Sequence, residues 1–337
     1  MRTIYPNVSC AVLVAVGLAA TPDSLDAQEP VELGAPVAAA AEPLSSIAGL
    51  RELSGGALLV ADGLEGRLLR MSADLTSVTP IGREGAGPGE YRTPDALFAM
   101  AADSTLMVDL GNGRLAVLGP SGAIDRTFPI AGGEGPRLSI RLPGGVDAGG
   151  SIYFRQRGRP GPGGVPDSGV VVRYDPHAEE TMELAAVKTP AVSLQESGPA
   201  NARNVQMRPV PLSPEDVWTV TPEGRLVIAR QNANAYWLDF VGPDGSGRGP
   251  EISYEPLPVR AGDREAWIAG LSGALGVSVE EENGRRRMSF SRGGAPGLQA
   301  DDLEWPETKP AFPGEALETA SDGNFWLQRH GPAGEPT

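Results

Sequence analysis

Leu58-Leu59-Val60-Ala61-Asp62-Gly63-Leu64-Glu65-Gly66-Arg67-Leu68-Leu69-Arg70 is the stretch whose reading decides the fold. An apolar run ends in Asp, a short glycine-containing turn follows, and Gly-Arg opens a second apolar run. This is the pattern of a β-hairpin, two strands joined by a turn whose glycines accept positive φ. The pattern returns at an offset of 47 residues as Thr105-Leu106-Met107-Val108-Asp109-Leu110-Gly111-Asn112-Gly113-Arg114-Leu115-Ala116-Val117, with Asp109 in the place of Asp62 and Arg114 in the place of Arg67. A period of that length matches one four-stranded propeller blade.

Looser copies follow. Gly150-Ser151-Ile152-Tyr153-Phe154 and Val170-Val171-Val172-Arg173-Tyr174-Asp175 flank a Gly/Pro-rich insert at 158–169. Leu226-Val227-Ile228-Ala229 and Tyr236-Trp237-Leu238-Asp239-Phe240 flank a turn around Asn232, and a further copy opens at Ser321 and runs into Phe325-Trp326-Leu327. Blade-like units are expected to start near residues 45, 95, 143, 213 and 313. Two segments break the rhythm. Residues 191–214, polar and proline-containing, read as a long surface excursion. Residues 260–275 read as an insertion with a short helix, Asp263 as its N-cap and Trp267, Leu271 and Leu275 on one face, with an irregular loop as the alternative. Glu280, Glu281 and Glu282 stand across an Asn283-Gly284 turn from Arg285, Arg286 and Arg287, a hairpin signal with complementary charges.

Composition agrees with this reading. The chain has 45 glycines and 32 prolines, nearly a quarter of its 337 residues. Proline lacks an N–H and clashes with the preceding turn, so long helices are disfavoured throughout. Hydrophobic residues make up 40%, enough for a core. The expected fold class is all-β, a propeller of four-stranded antiparallel blades.

The net charge of −15 disfavours a nucleic-acid partner, which needs a basic stripe, and an anionic lipid surface. Residues 1–27 read as an export signal. Arg2 supplies the positive charge, Val8–Ala20 is an apolar run too short to span a bilayer, and cleavage is expected near Ala27. An N-terminal anchor is the alternative. Residues 28–42 read as a flexible leader and 43–337 as the propeller domain. The only cysteine, Cys10, falls inside the signal, so the exported chain, periplasmic or extracellular, has no thiol chemistry and no further membrane span.

The Asp62-x4-Arg67 and Asp109-x4-Arg114 pairs, with the glycine-rich segment Gly82–Pro94 between them, resemble NHL-type and TolB-like six-bladed propellers of exported bacterial proteins. The resemblance implies six blades. Four whole units and the beginning of a fifth can be placed, so truncation at the C-terminus is expected, with an irregular blade from 260–312 as the alternative.

The recurrent pairs read as structural. Asp62 and Asp109 accept N–H bonds in their hairpin turns, and Arg67 and Arg114 bridge to a neighbouring blade. The glycine-rich segment lacks the Lys-Ser/Thr ending of a phosphate loop and reads as an inter-blade connector, on which Arg83, Glu84, Glu90 and Arg92 form a possible rim site. The two histidines, His177 and His330, lack metal-ligand spacing. No catalytic residue, metal ligand or cofactor is assigned. The expected function is an exported, non-catalytic binding or scaffold propeller presenting a rim to a protein, peptide or glycan. The resemblance also implies an alternative, a lactonase- or lyase-like enzyme with a carboxylate-held metal in the central channel.

Overall fold

Short leucine- and valine-rich runs separated by glycine turns favour strands that pair with their sequence neighbours. The computed structural model describes residues 34–40, 42–132, 139–158, 164–197, 202–271, 275–282, 285–292, 299–314, 316–319 and 324–331. The export-signal reading, the Asn283-Gly284 turn and part of the 158–169 insert lie outside these residues. The sheets belong to the unit Ala39–Thr337.

Four antiparallel meanders form the blades. The first pairs Ile47–Glu52, Leu58–Asp62, Arg67–Met71 and Val78–Pro80 in chain order. The second pairs Pro94–Ala99, Thr105–Asp109, Arg114–Leu118 and Ile124–Pro129. The third pairs Pro143–Val146, Ile152–Arg157, Ser168–Asp175 and Glu180–Lys188. The fourth pairs Val217–Val220, Leu226–Gln231, Ala235–Gly242 and Gly245–Arg248, and Ile252–Ser253 adds to its third strand. A two-stranded ladder, Leu317–Thr319 with Phe325–Leu327, follows. The described residues thus form a β-propeller arrangement of four antiparallel blades.

The core lies between successive blades. Leu59, Ala61 and Leu68 of the first blade meet Leu97, Met107 and Ala116 of the second. Leu106, Val108 and Leu115 meet Ile152 of the third, whose Tyr153 and Val171 meet Leu226 and Ile228 of the fourth. Val227 and Ala229 then pack on Phe312 and Leu317. Glycine lets the first strands approach closely. A Cβ on Gly49 would lie 2.5 Å from the Asp95 carbonyl oxygen, and one on Gly144 would lie 2.6 Å from the Trp218 ring.

Two expectations are corrected, the N-cap at Asp263 and the place of Leu275 on the helix. Residues 191–214, between the third and fourth blades, contain a hairpin, Val192–Ser197 with Ala202–Pro209. That hairpin joins a second one, Leu275–Glu282 with Arg285–Arg292, in a sheet apart from the four blades. The register sets Glu280 opposite Arg287, Glu281 opposite Arg286 and Glu282 opposite Arg285. The helix is Ala261–Gly270, and its N-cap is Arg260. Asp263 is the third helical residue, where its carboxylate accepts the Arg260 amide at 2.8 Å. Leu275 lies on a strand, so it shares no helical face with Trp267. Among the described residues no helix is long and apolar enough to cross a membrane.

Candidate functional site

Each blade's first strand starts, and its second strand ends, at the same end of the sheet, so the turn after the second strand lies beside the lead-in to the first. Asp62, last in its strand, is fully buried there. Its two carboxylate oxygens accept the Ser45 and Ser46 amides, each at 3.1 Å, just ahead of Ile47. They also accept the Glu65 amide at 3.4 Å and Arg67 Nη2 at 3.3 Å. Burial opposes ionisation, but these donors outweigh it and hold the carboxyl below its ordinary range.

Asp109 repeats the arrangement. Its Oδ1 accepts the Arg92 and Thr93 amides at 3.0 and 3.3 Å, just ahead of Pro94. Its Oδ2 accepts Asn112 Nδ2 at 2.8 Å and Arg114 Nε at 2.9 Å. Both arginines therefore pair with the aspartate of their own hairpin. Arg114 also reaches the connector, donating to the Glu90 carbonyl.

The other two blades keep the position and change the residue. Arg157, last in its strand, donates to the Pro190 carbonyl at 2.8 Å. Gln231 donates to the Glu215 carbonyl and accepts the Ala311 amide, both at 2.8 Å. A search for Asp-x4-Arg misses Gln231 because the role passes to a carboxamide, while Arg157 instead holds the segment that follows its blade's last strand.

The connector is folded on itself. Arg83 pairs with Glu90 at 2.7 Å, and the other Glu90 oxygen accepts the Gly87 amide at 2.8 Å. The Gly87 amide and Arg83 hold the Glu90 carboxyl below its ordinary range. Buried Tyr91 accepts the Leu68 amide and donates to the Ile81 carbonyl, fixing the connector to the first blade. The structure thus joins Arg83 with Glu90, while Glu84 and Arg92 stand exposed. The nearby turn residue Leu64 is 75% exposed.

At the same end of the fourth blade lies a cleft of about 260 Å3 that sequence reasoning did not find. Its walls are Tyr254, Glu255, Leu257, Pro310, Ala311, Arg329 and His330, drawn from three separate segments. The Tyr254 hydroxyl donates to the Asn232 carbonyl in the blade's turn at 3.2 Å. The Arg329 guanidinium lies 5.6 Å from the centre of the Tyr236 ring. Behind the wall, buried Lys309 donates to Asp263 Oδ1 at 2.7 Å and to the Gly331 carbonyl at 2.6 Å. His330 Nε2 is buried without a hydrogen-bond partner. Burial, reinforced by the Lys309 charge and opposed by Asp263, pushes the imidazole below its ordinary value. The scarcity of histidine was the one signal in the sequence that marked His330.

Among the described residues no group of three or more His, Cys, Asp or Glu is placed to hold a metal ion. Asp239 is engaged by Arg230 and Arg248. Asp244 lies 3.8 Å from Arg225.

No family model matches the chain, and no curated protein matches it. Among solved structures, a candidate exported protein from Bacteroides fragilis is similar at 13% identity, covering 78% of this chain and 74% of that one, with a TM-score of 0.38. A streptogramin B lyase is similar at 12% identity over 86% of this chain and 92% of that one, with a TM-score of 0.35. A gluconolactonase from Xanthomonas campestris is similar at 13% identity over 60% of this chain and 85% of that one, with a TM-score of 0.32. With identities and scores this low, the blade assignment rests on the sheet topology and the site on its own geometry.

Proposed function

We propose that the chain is an exported, non-catalytic binding propeller of the six-bladed, NHL-like plan, and that it presents the turn end of its blades to a protein, peptide or glycan. One observation supports this reading above the others. At that end the recurrent polar groups, Asp62, Asp109, Arg114, Glu90 and Gln231, are engaged in holding backbone, while Leu64, Glu84 and Arg92 face solvent beside an Arg83 side chain that is 79% exposed. Loops held rigidly by a scaffold, with exposed apolar and charged tips, suit recognition.

The test is a comparison of the full chain with E84Q/R92Q, at the two exposed connector positions, on peptide and glycan arrays. Binding of one ligand class that weakens in the variant, with an unchanged melting temperature, is the expected result. Identical profiles for the two proteins overturn the rim assignment. The enzyme alternative makes a different prediction: stoichiometric Ca2+ or Zn2+ surviving dialysis, and a melting temperature lowered by EDTA.

A further inference from the structure

We infer that the cleft beside the fourth blade binds a small zwitterion of the amino-acid class, one carrying an apolar side chain. The site shares no residue with the rim discussed above and stands independently of it.

The charge of the cleft carries the inference. Lys309 and Asp263 lie close behind the wall, but they neutralise one another at 2.7 Å and leave little field. The two fixed charges on the wall are Arg329 and Glu255. Both are exposed, and among the described residues no ion pair links them. A cleft whose wall carries a cation held only by the face of an aromatic ring, and an anion that does not pair with it, is complementary to a ligand that carries both signs. The Arg329 guanidinium offers a carboxylate two parallel donors, and the Glu255 carboxylate accepts from an ammonium.

His330 lines the same cleft and so reports on its occupancy, while its Nε2 is sealed from solvent. Leu257, Pro310, Ala311 and the Tyr254 ring form the rest of the wall and suit an aliphatic chain. The volume of about 260 Å3 is below that of sites for drug-sized ligands. It suits a single free amino acid better than an oligosaccharide.

The chain's two histidines provide the measurement. The full chain, isotope-labelled at histidine, is titrated with L-leucine, with 4-methylpentanoate, which has only the carboxylate, and with 3-methylbutylamine, which has only the amine. Leucine is expected to move the His330 imidazole resonances saturably while His177 stays still, and each half-ligand to bind at least about tenfold more weakly. E255Q should bring leucine down to the affinity of 4-methylpentanoate, and R329Q should weaken leucine by a similar factor. Both substitutions are at exposed positions, and unchanged His177 resonances verify the fold. If leucine moves neither histidine, the crevice holds water only and the inference is overturned. Equal binding of leucine and 4-methylpentanoate by the unmodified chain also overturns it, by showing a plain anion site.

Discussion

Gln231 stands in the fourth blade where Asp62 stands in the first. Each is the last residue of its blade's second strand, and each holds the backbone just ahead of that blade's first strand. The polarity is reversed: Asp62 receives two amide N–H groups, whereas Gln231 gives its own N–H to a carbonyl. Gln231→Glu removes that donor and sets a carboxylate against the Glu215 carbonyl oxygen. The expected loss is about 1–3 kcal/mol, read as a lower midpoint in denaturant unfolding. A midpoint equal to that of the unmodified chain would contradict the assigned bond.

Asp62 and Asp109 should differ in weight. Both carboxylates are fully buried, but the Arg114 side chain is 18% exposed and the Arg67 side chain 37%. Asp109→Ala leaves the nearly sealed Arg114 charge with only the Glu90 carbonyl to accept from it, at an expected loss of about 3–5 kcal/mol. Arg67 can turn into water, so Asp62→Ala should lose about 1–3 kcal/mol, mainly from the orphaned amides. Chemical denaturation of the two variants under one condition checks the order.

Gly49→Ala places a methyl 2.5 Å from the Asp95 carbonyl oxygen and 2.9 Å from the Leu97 amide nitrogen. Both are backbone atoms, so relief requires the first strands of two blades to separate. A loss of about 1–3 kcal/mol is expected. Gly247→Ala meets nothing within 4 Å and serves as the control. Equal melting temperatures for the two variants would refute the close approach.

Acidification should loosen the seam that holds Lys309. Folded His330 sits below its ordinary 6.5, so as pH falls through 6.5 the unfolded chain takes up a proton that the folded chain refuses. That contribution is fully present above 6.5 and is lost as pH falls toward the folded value. Asp263 is held below its ordinary 3.8, chiefly by Lys309 and the Arg260 amide acting against burial, so it adds a further loss below 3.8. His330→Gln should remove the first loss and keep the second. Thermal melts from neutral pH down to about pH 3 separate the two.

The hairpins Leu58–Met71 and Thr105–Leu118 were legible because each is local: apolar strand, Asp, glycine turn, Arg, apolar strand. The fourth blade was legible for the same reason, with Leu226–Gln231 facing Ala235–Gly242 across a short turn. The sheet that joins Ala202–Pro209 to Leu275–Glu282 was not, because pairing across such a separation leaves no period in the sequence. Asp263 looked like an N-cap because Asp is favoured there, yet it does its work from the third helical position by reaching back to Arg260. The cleft was hidden for a related reason. Tyr254, Pro310 and Arg329 are assembled by packing, and no short motif connects them.

The distant pairing also governs how the molecule comes together and comes apart. Ala202–Gln206 lies against Ser278–Glu282 in five matched positions, and the entire fourth blade is strung between them. That sheet cannot zip until the intervening polypeptide has collapsed, so its formation belongs among the slow, high-contact-order steps of folding. Once closed, it turns the enclosed stretch into a tether. A protease nick inside it would yield two polypeptides that travel as one particle until a denaturant parts them.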